Sequence, residues 1–201
     1  MYVRRLVLVL LHLGLSGCLS SSALEPFDPF LLSFGDSKHD VIASIEERGH
    51  RPLSLDARSV LIEGPVLPDV YENQREVLRF DAAGNLKGIH VQIEPEPGAR
   101  GRDLLRLTDE VRKRLVERLG RPTWERREGT AGPGEIVYAF AEGDLVRTTE
   151  WHQAGRFVRA GIPRSMSGRL VVEIVVTPTP IERGEAFWGI ETDGISRHGG
   201  A

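Results

Sequence analysis

The sequence predicts an α+β domain in which two helices pack on one face of an antiparallel sheet. Two segments carry apolar residues at helical spacing, and several short β-rich segments are separated by turn-forming residues. The composition is that of a globular protein, with 40% hydrophobic and 27% charged residues. Because the order is helix, strands, helix, strands, we also consider a tandem helix-plus-meander repeat.

The two predicted helices have recognisable ends. The first begins after Ser37, whose hydroxyl can cap free backbone N–H groups, and stops at Gly49. The second covers residues 103–119 and stops at Gly120. Its apolar stripe steps by three or four residues and consists of Leu104, Leu107, Val111, Leu115 and Leu119.

The predicted strands lie between clusters of turn residues. They cover residues 59–63, 75–81, 86–94, 135–141, 145–152, 156–162 and 168–177. In the third strand, alternation places Ile89 and Val91 on the core side and His90 on the solvent side. The last strand is apolar on both faces, which is typical of a central strand.

Two turn sequences support the repeat hypothesis. Residues 80–86 and 140–145 both run from a phenylalanine through a glycine turn to a leucine. The repeat would place Phe80 and Phe140 in equivalent positions. The alternative explanation is coincidence, since glycine recurs in turns of every kind.

The N-terminus has the pattern of an export signal. Arg4 and Arg5 precede an apolar segment, residues 6–15, which spans only about 15 Å as a helix and is too short to cross a membrane. The next residues are Leu15-Ser16-Gly17-Cys18. The alternatives are an ordinary secretory signal with a chance cysteine, or a buried apolar helix.

This tetrapeptide resembles the lipobox of bacterial lipoproteins. The resemblance implies that residues 1–17 are removed as a signal peptide and that Cys18 is acylated with diacylglyceryl and fatty-acyl (palmitate-type) chains. By the same resemblance, Leu19 in place of an aspartate implies anchoring in the outer membrane, facing the periplasm of a Gram-negative host. The predicted organisation is a signal peptide (1–17), a lipidated tether (18–32), one α+β domain (33–178) and a loose C-terminal tail (179–201).

Composition excludes several function classes. Cys18 is the sole cysteine, so its lipidation would leave no thiol for a disulfide, a Cys-ligated zinc or a nucleophile. The formal charge of −3, which falls to −5 without Arg4 and Arg5, argues against a nucleic-acid partner. The predicted partners are therefore the membrane, through the lipid, and a protein of the envelope.

The domain also resembles a class of small envelope lipoproteins. Leu32-Ser-Phe-Gly-Asp-Ser37 leads into a helix that ends in glycine and is followed by a strand meander. This arrangement resembles the BamE/SmpA and β-lactamase-inhibitor-protein-like class. The resemblance implies helices on one face of an antiparallel sheet, and a protein-binding or scaffolding function, for example in outer-membrane assembly or maintenance. No interface residue transfers, because no specific binding motif is matched.

An enzyme is the alternative hypothesis. Gly35-Asp36-Ser37 resembles the first block of SGNH hydrolases, which implies Ser37 as the nucleophile of an esterase. That family also carries Asp-x-x-His near the C-terminus, whereas Asp193 and His198 are spaced too widely here. We therefore predict no catalytic residue and interpret Ser37 as a helix cap. A small-ligand site in the crevice between sheet and helices is a third hypothesis.

The remaining candidates are histidines and aromatic residues. We predict no metal or cofactor site, because the histidines lack ligand spacing. Outside the predicted signal peptide they are His39, His50, His90, His152 and His198. Core packing is the commoner fate of the aromatic residues that could bind a partner, and Trp151, at the end of a strand beside His152, is the candidate for exposure.

Overall fold

The computed structural model describes residues 28–63, 74–163 and 171–181. Within these ranges, one eight-stranded antiparallel sheet is covered on one face by three α-helices. The helices are α1 (Lys38–Glu47), α2 (Gly101–Leu119) and α3 (Ile136–Glu142), and the strands are β1 (Pro52–Asp56), β2 (Ser59–Glu63), β3 (Gln74–Phe80), β4 (Leu86–Ile93), β5 (Trp124–Glu128), β6 (Val146–Gln153), β7 (Arg156–Gly161) and β8 (Val172–Thr177). The predicted α+β class is confirmed, although the sheet is the dominant element.

The strands follow the chain order from each edge of the sheet towards its centre. Its strand order is β1-β2-β3-β4-β8-β7-β6-β5, so the first four strands follow one another from one edge and the last four from the other. The two sets meet at β4 and β8, where Val91 is opposite Ile174. Both central strands are almost entirely buried, which agrees with the β-branched residues of β8.

The helices begin and end close to the predicted residues. Ser37 caps α1, and Gly49, just beyond the end of α1, has a φ of 80°. Gly120 ends α2 at the same φ. The apolar stripe of α2, apart from the half-buried Leu119, packs into a single core with the buried residues of α1, α3 and one face of the sheet. We call this face of the sheet the helix face.

A third helix replaces one predicted strand. Residues 135–141 were predicted to be a strand, whereas residues 136–142 form α3. A strand would place Ile136, Tyr138 and Phe140 on one face, but Ile136 and Phe140 are buried and Tyr138 is 74% exposed. This is the four-residue spacing of a helix. The proposed equivalence of Phe140 with Phe80 is therefore wrong, because Phe80 ends β3.

Both edge strands, β1 and β5, were missed. Strand β5 reads Trp-Glu-Arg-Arg-Glu, and β1 begins at a proline. Charged residues and proline are common in edge strands, where they discourage pairing with other chains. An edge strand buries little surface, so β5 shows no apolar alternation and β1 has only the pair Leu53 and Leu55.

Several predictions fall on residues that the structure does not describe. These are the signal peptide (1–17), residues 18–27 of the tether, residues 182–201 of the tail, and the first part of the strand predicted at 168–177. The described part of that strand forms β8.

Candidate functional site

The face of the sheet opposite the helices has a buried centre of polar and charged side chains. Register places His90, Val175, Arg159 and Glu150 in one row across β4, β8, β7 and β6. Directly paired residues share a face, so this row is on the opposite side from the core. Val175 is buried but does not belong to the core cluster. We call this side of the sheet the second face.

A buried ion pair lies in this row. Arg159 donates from Nε to Oε1 of Glu150 at 3.0 Å, and its Nη2 is 2.9 Å from the same oxygen. The two residues are only 3% and 1% exposed. The Arg159 guanidinium also lies 5.3 Å from the centre of the Phe157 ring and donates to the carbonyl of Ile181 at 2.8 Å. These contacts fix both charges in one geometry.

A second polar group lies beside this pair, on β4 and β8. Gln92 donates from Nε2 to Oε1 of Glu173 at 3.0 Å, and Nε2 of His90 is 3.6 Å from the same oxygen. The other carboxylate oxygen of Glu173 has no hydrogen-bond partner among the described residues. The centre of the second face therefore contains two carboxylates with different surroundings.

The row extends to both edges of the sheet. From His90 it continues through Val77 and Leu61 to Leu53 on β1. From Glu150 it continues to Trp124 on β5. These four flanking side chains are half-buried. The polar centre is thus flanked by partly exposed aliphatic residues on one side and a tryptophan on the other.

A separate buried carboxyl lies on the helix face. Glu76 is opposite Ile62 on β2 and Val91 on β4 and is 0% exposed. Neither carboxyl oxygen has a hydrogen-bond partner among the described residues. Burial raises the pKa of Glu76 well above its ordinary value, because desolvation penalises the ionised form.

Ser37 has the capping role predicted for it. Its Oγ donates to Oδ2 of Asp40 at 2.7 Å and accepts from the Asp40 N–H at 3.2 Å. Asp193 and His198, the other candidates for a hydrolase site, lie outside the described residues, as does Cys18. Of the residues predicted for lipidation or for a hydrolase site, the structure therefore describes only Ser37.

Two exposure predictions were wrong. His90 is 2% exposed rather than solvated, because β4 is central and both faces of the sheet are buried there. Trp151 is 1% exposed, and its Nε1 donates to the carbonyl of Gly120 at 2.9 Å. This bond holds the indole between the end of α2 and the sheet. Among the phenylalanines, tyrosines and tryptophans that the structure describes, Tyr138 is the exposed one.

Charged residues inside apolar strands were the sequence signal for the second face. Glu173 interrupts a valine-rich run, and Arg159 follows Phe157-Val158. At each of these positions a charged side chain lies on a buried face of the sheet. Such a charge must be compensated by a partner. Sequence analysis interpreted the residues around Glu173 only as a central apolar strand.

Within the described ranges, two kinds of feature were searched for and not found. No group of three or more His, Cys, Asp or Glu side chains is arranged to hold a metal ion. None of the described helices combines the length and the apolar character needed to cross a membrane.

Comparison with known proteins gives no relative: no protein family, no curated protein sequence and no solved structure matches this chain.

Proposed function

We propose that the chain is an envelope lipoprotein, anchored in the membrane through Cys18, whose domain binds a protein partner and acts as a scaffold in outer-membrane assembly or maintenance. The second face supports the binding role. Its polar centre is flanked by half-buried Leu53, Leu61 and Val77 on one side and by Trp124 on the other. Aliphatic and aromatic residues around a rigid centre are suited to an apolar protein surface.

The strand order supports the tandem-repeat hypothesis. In each half, a helix precedes four strands that form a meander, and α3 is inserted between β5 and β6 of the second half. We infer two related halves joined at β4 and β8. The second face then extends continuously across both halves, and its half-buried flanks on β1 and β5 are the parts that a partner can reach.

Binding through the second face predicts a selective loss of the partner. The variant Leu53→Asp/Trp124→Ala changes both flanks and leaves the buried centre intact. Crosslinking in membranes followed by pull-down should recover at least about tenfold less partner than the wild type, because anchors of this kind contribute about 2 kcal/mol or more. Thermal unfolding of the purified variant checks that the fold is retained.

Tyr138→Ala is the matched control, since it removes an exposed aromatic side chain from α3 on the other side of the sheet. It should recover the same partner at the wild-type level. Equal recovery by the flank variant would rule out the second face as the binding surface.

The anchor has its own test. Wild-type protein in a bacterial host should incorporate radioactive palmitate, and Cys18→Ala should not, because the chain has no other cysteine. The wild type should fractionate with membranes. Equal labelling of both proteins would show that Cys18 is not the lipidation site.

The esterase alternative has less support. The Ser37 hydroxyl is engaged with Asp40 at the start of α1, which is a capping geometry. A nucleophilic serine of that family instead needs a histidine that takes its proton, whereas the hydroxyl of Ser37 donates to a carboxylate of the same cap.

A further inference from the structure

The chain just before α1 is held to the domain by two arginines. We call residues 28–34 the strap. Arg156, at the start of β7, donates from Nη1 to the carbonyl of Phe30 at 2.5 Å and from Nη2 to the carbonyl of Leu32 at 2.7 Å. Phe30 and Leu32 are buried and belong to the core cluster. One guanidinium thus holds two carbonyls of the strap backbone.

The second arginine, Arg118, lies in the last turn of α2. Its guanidinium is 4.6 Å from the centre of the Phe30 ring and forms an ion pair with Asp28. Arg156 is 5.9 Å from the same ring and from that of Phe34. The Phe30 ring therefore contacts two cations, an arrangement that aromatic faces favour.

The two arginines are partly desolvated in this arrangement. Burial lowers the pKa of both, and for Arg118 the nearby charge of Arg156 lowers it further. The carboxylate of Asp28, the two carbonyls and the ring compensate this cost. The strap is thus held by charge-assisted bonds to two arginines in addition to the packing of Phe30 and Leu32 in the core.

We propose that the strap is a releasable clamp that sets how far the domain can extend from its membrane anchor. The proposal rests on anchoring at Cys18. With the clamp closed, the chain between Cys18 and Asp28 can span at most about 35 Å. With the clamp open, the first fixed point is Gly35, whose N–H donates to the carbonyl of Leu86, and the chain from Cys18 can span at most about 60 Å. Opening the clamp therefore nearly doubles the reach towards a partner.

Hydrogen exchange followed by mass spectrometry tests the clamp in the full-length protein. The reporters are the N–H groups of Phe30 and Leu31, which donate within the strap to Asp28. Replacing Arg156 with alanine should accelerate their exchange about tenfold or more, because it removes two charge-assisted bonds. Arg156→Lys, which keeps the charge but lacks the planar fork, should give an intermediate rate. Arg106→Ala, on an exposed part of α2, should leave the rate unchanged.

The amides of β4 and β8 serve as an internal standard for folding in every variant. If Arg156→Ala also loses protection there, Asp28→Asn replaces it with the Leu31 N–H as the reporter, because that change removes the ion pair with Arg118 but also alters the acceptor of the Phe30 N–H. It should accelerate the exchange of Leu31 several-fold. Wild-type rates in the Arg118→Ala/Arg156→Ala variant with an intact sheet would overturn the clamp, as would wild-type strap amides that exchange like a free peptide. Hydrogen exchange of Cys18→Ala separates the two proposals. Loss of palmitate labelling in this variant tests only the anchor, whereas the exchange rate of its strap amides tests only the clamp.

Discussion

Replacing Arg159 with methionine is expected to lower the free energy of unfolding by about 3–5 kcal/mol. The reason is that Glu150, which is 1% exposed, would lose the guanidinium that lies 2.9 Å from its carboxylate. A buried carboxylate deprived of its counter-charge costs far more than the pair contributes when intact. Urea denaturation at neutral pH measures the loss.

The double variant Glu150→Leu/Arg159→Met tests whether the loss comes from the unpaired carboxylate of Glu150. It should recover most of the lost stability, because two apolar side chains of similar size replace two charges. Arg106→Met removes an exposed pair with Asp103 and should change stability by less than about 0.5 kcal/mol. Equal losses in the single and double variants would show that the pair itself carries the stability, contrary to this expectation.

The second large effect concerns Glu76 and is seen as a pH dependence. The folded protein keeps the Glu76 proton at a pH where the unfolded chain, with a pKa near 4.5, has already lost it. The contribution of Glu76 to stability is therefore complete below about pH 4.5. It falls as the pH rises from there towards the raised pKa of Glu76 in the folded protein. The slope from this residue is about 1.4 kcal/mol per pH unit.

Glu76→Gln removes this dependence and keeps the shape of the side chain. The difference in unfolding free energy between the variant and the wild type should grow in favour of the variant as the pH is raised from 4 to 8. Glu117→Gln, on the exposed side of α2, is the control and should show no such trend. A pH-independent difference between Glu76→Gln and the wild type would mean that Glu76 ionises normally in the folded protein.

The helices and central strands were predictable because they carry strong local signals. Ser37 and Gly49 delimit α1, and Gly120 ends α2, as their chemistry requires. Helix α3 was missed because Ile136, Val137 and Phe140 are also common in strands, and only the exposure of Tyr138 distinguishes the two periods. The order of strands within the sheet depends on long-range pairing, which local patterns do not encode.

Which side chains meet on the second face could not be predicted from the sequence, for a similar reason. Whether His90 is solvated or buried depends on its neighbours, and these include Val175, which is distant in sequence. The ion pair of Arg159 and Glu150 likewise joins two strands whose pairing must be known first. In contrast, Cys18 was identified from contiguous residues, so that hypothesis needed no fold.

The order in which the strands join has a consequence for biosynthesis. Strands β1 to β4 can pair as soon as they leave the ribosome, because each is adjacent to the one made just before it. One side of β4 then stays without its partner until β8, the last of the described strands, is complete. During that interval the apolar residues of β4 form an open edge, which is a template for aggregation. A truncated chain that ends before Val172 should therefore need a chaperone to stay dispersed.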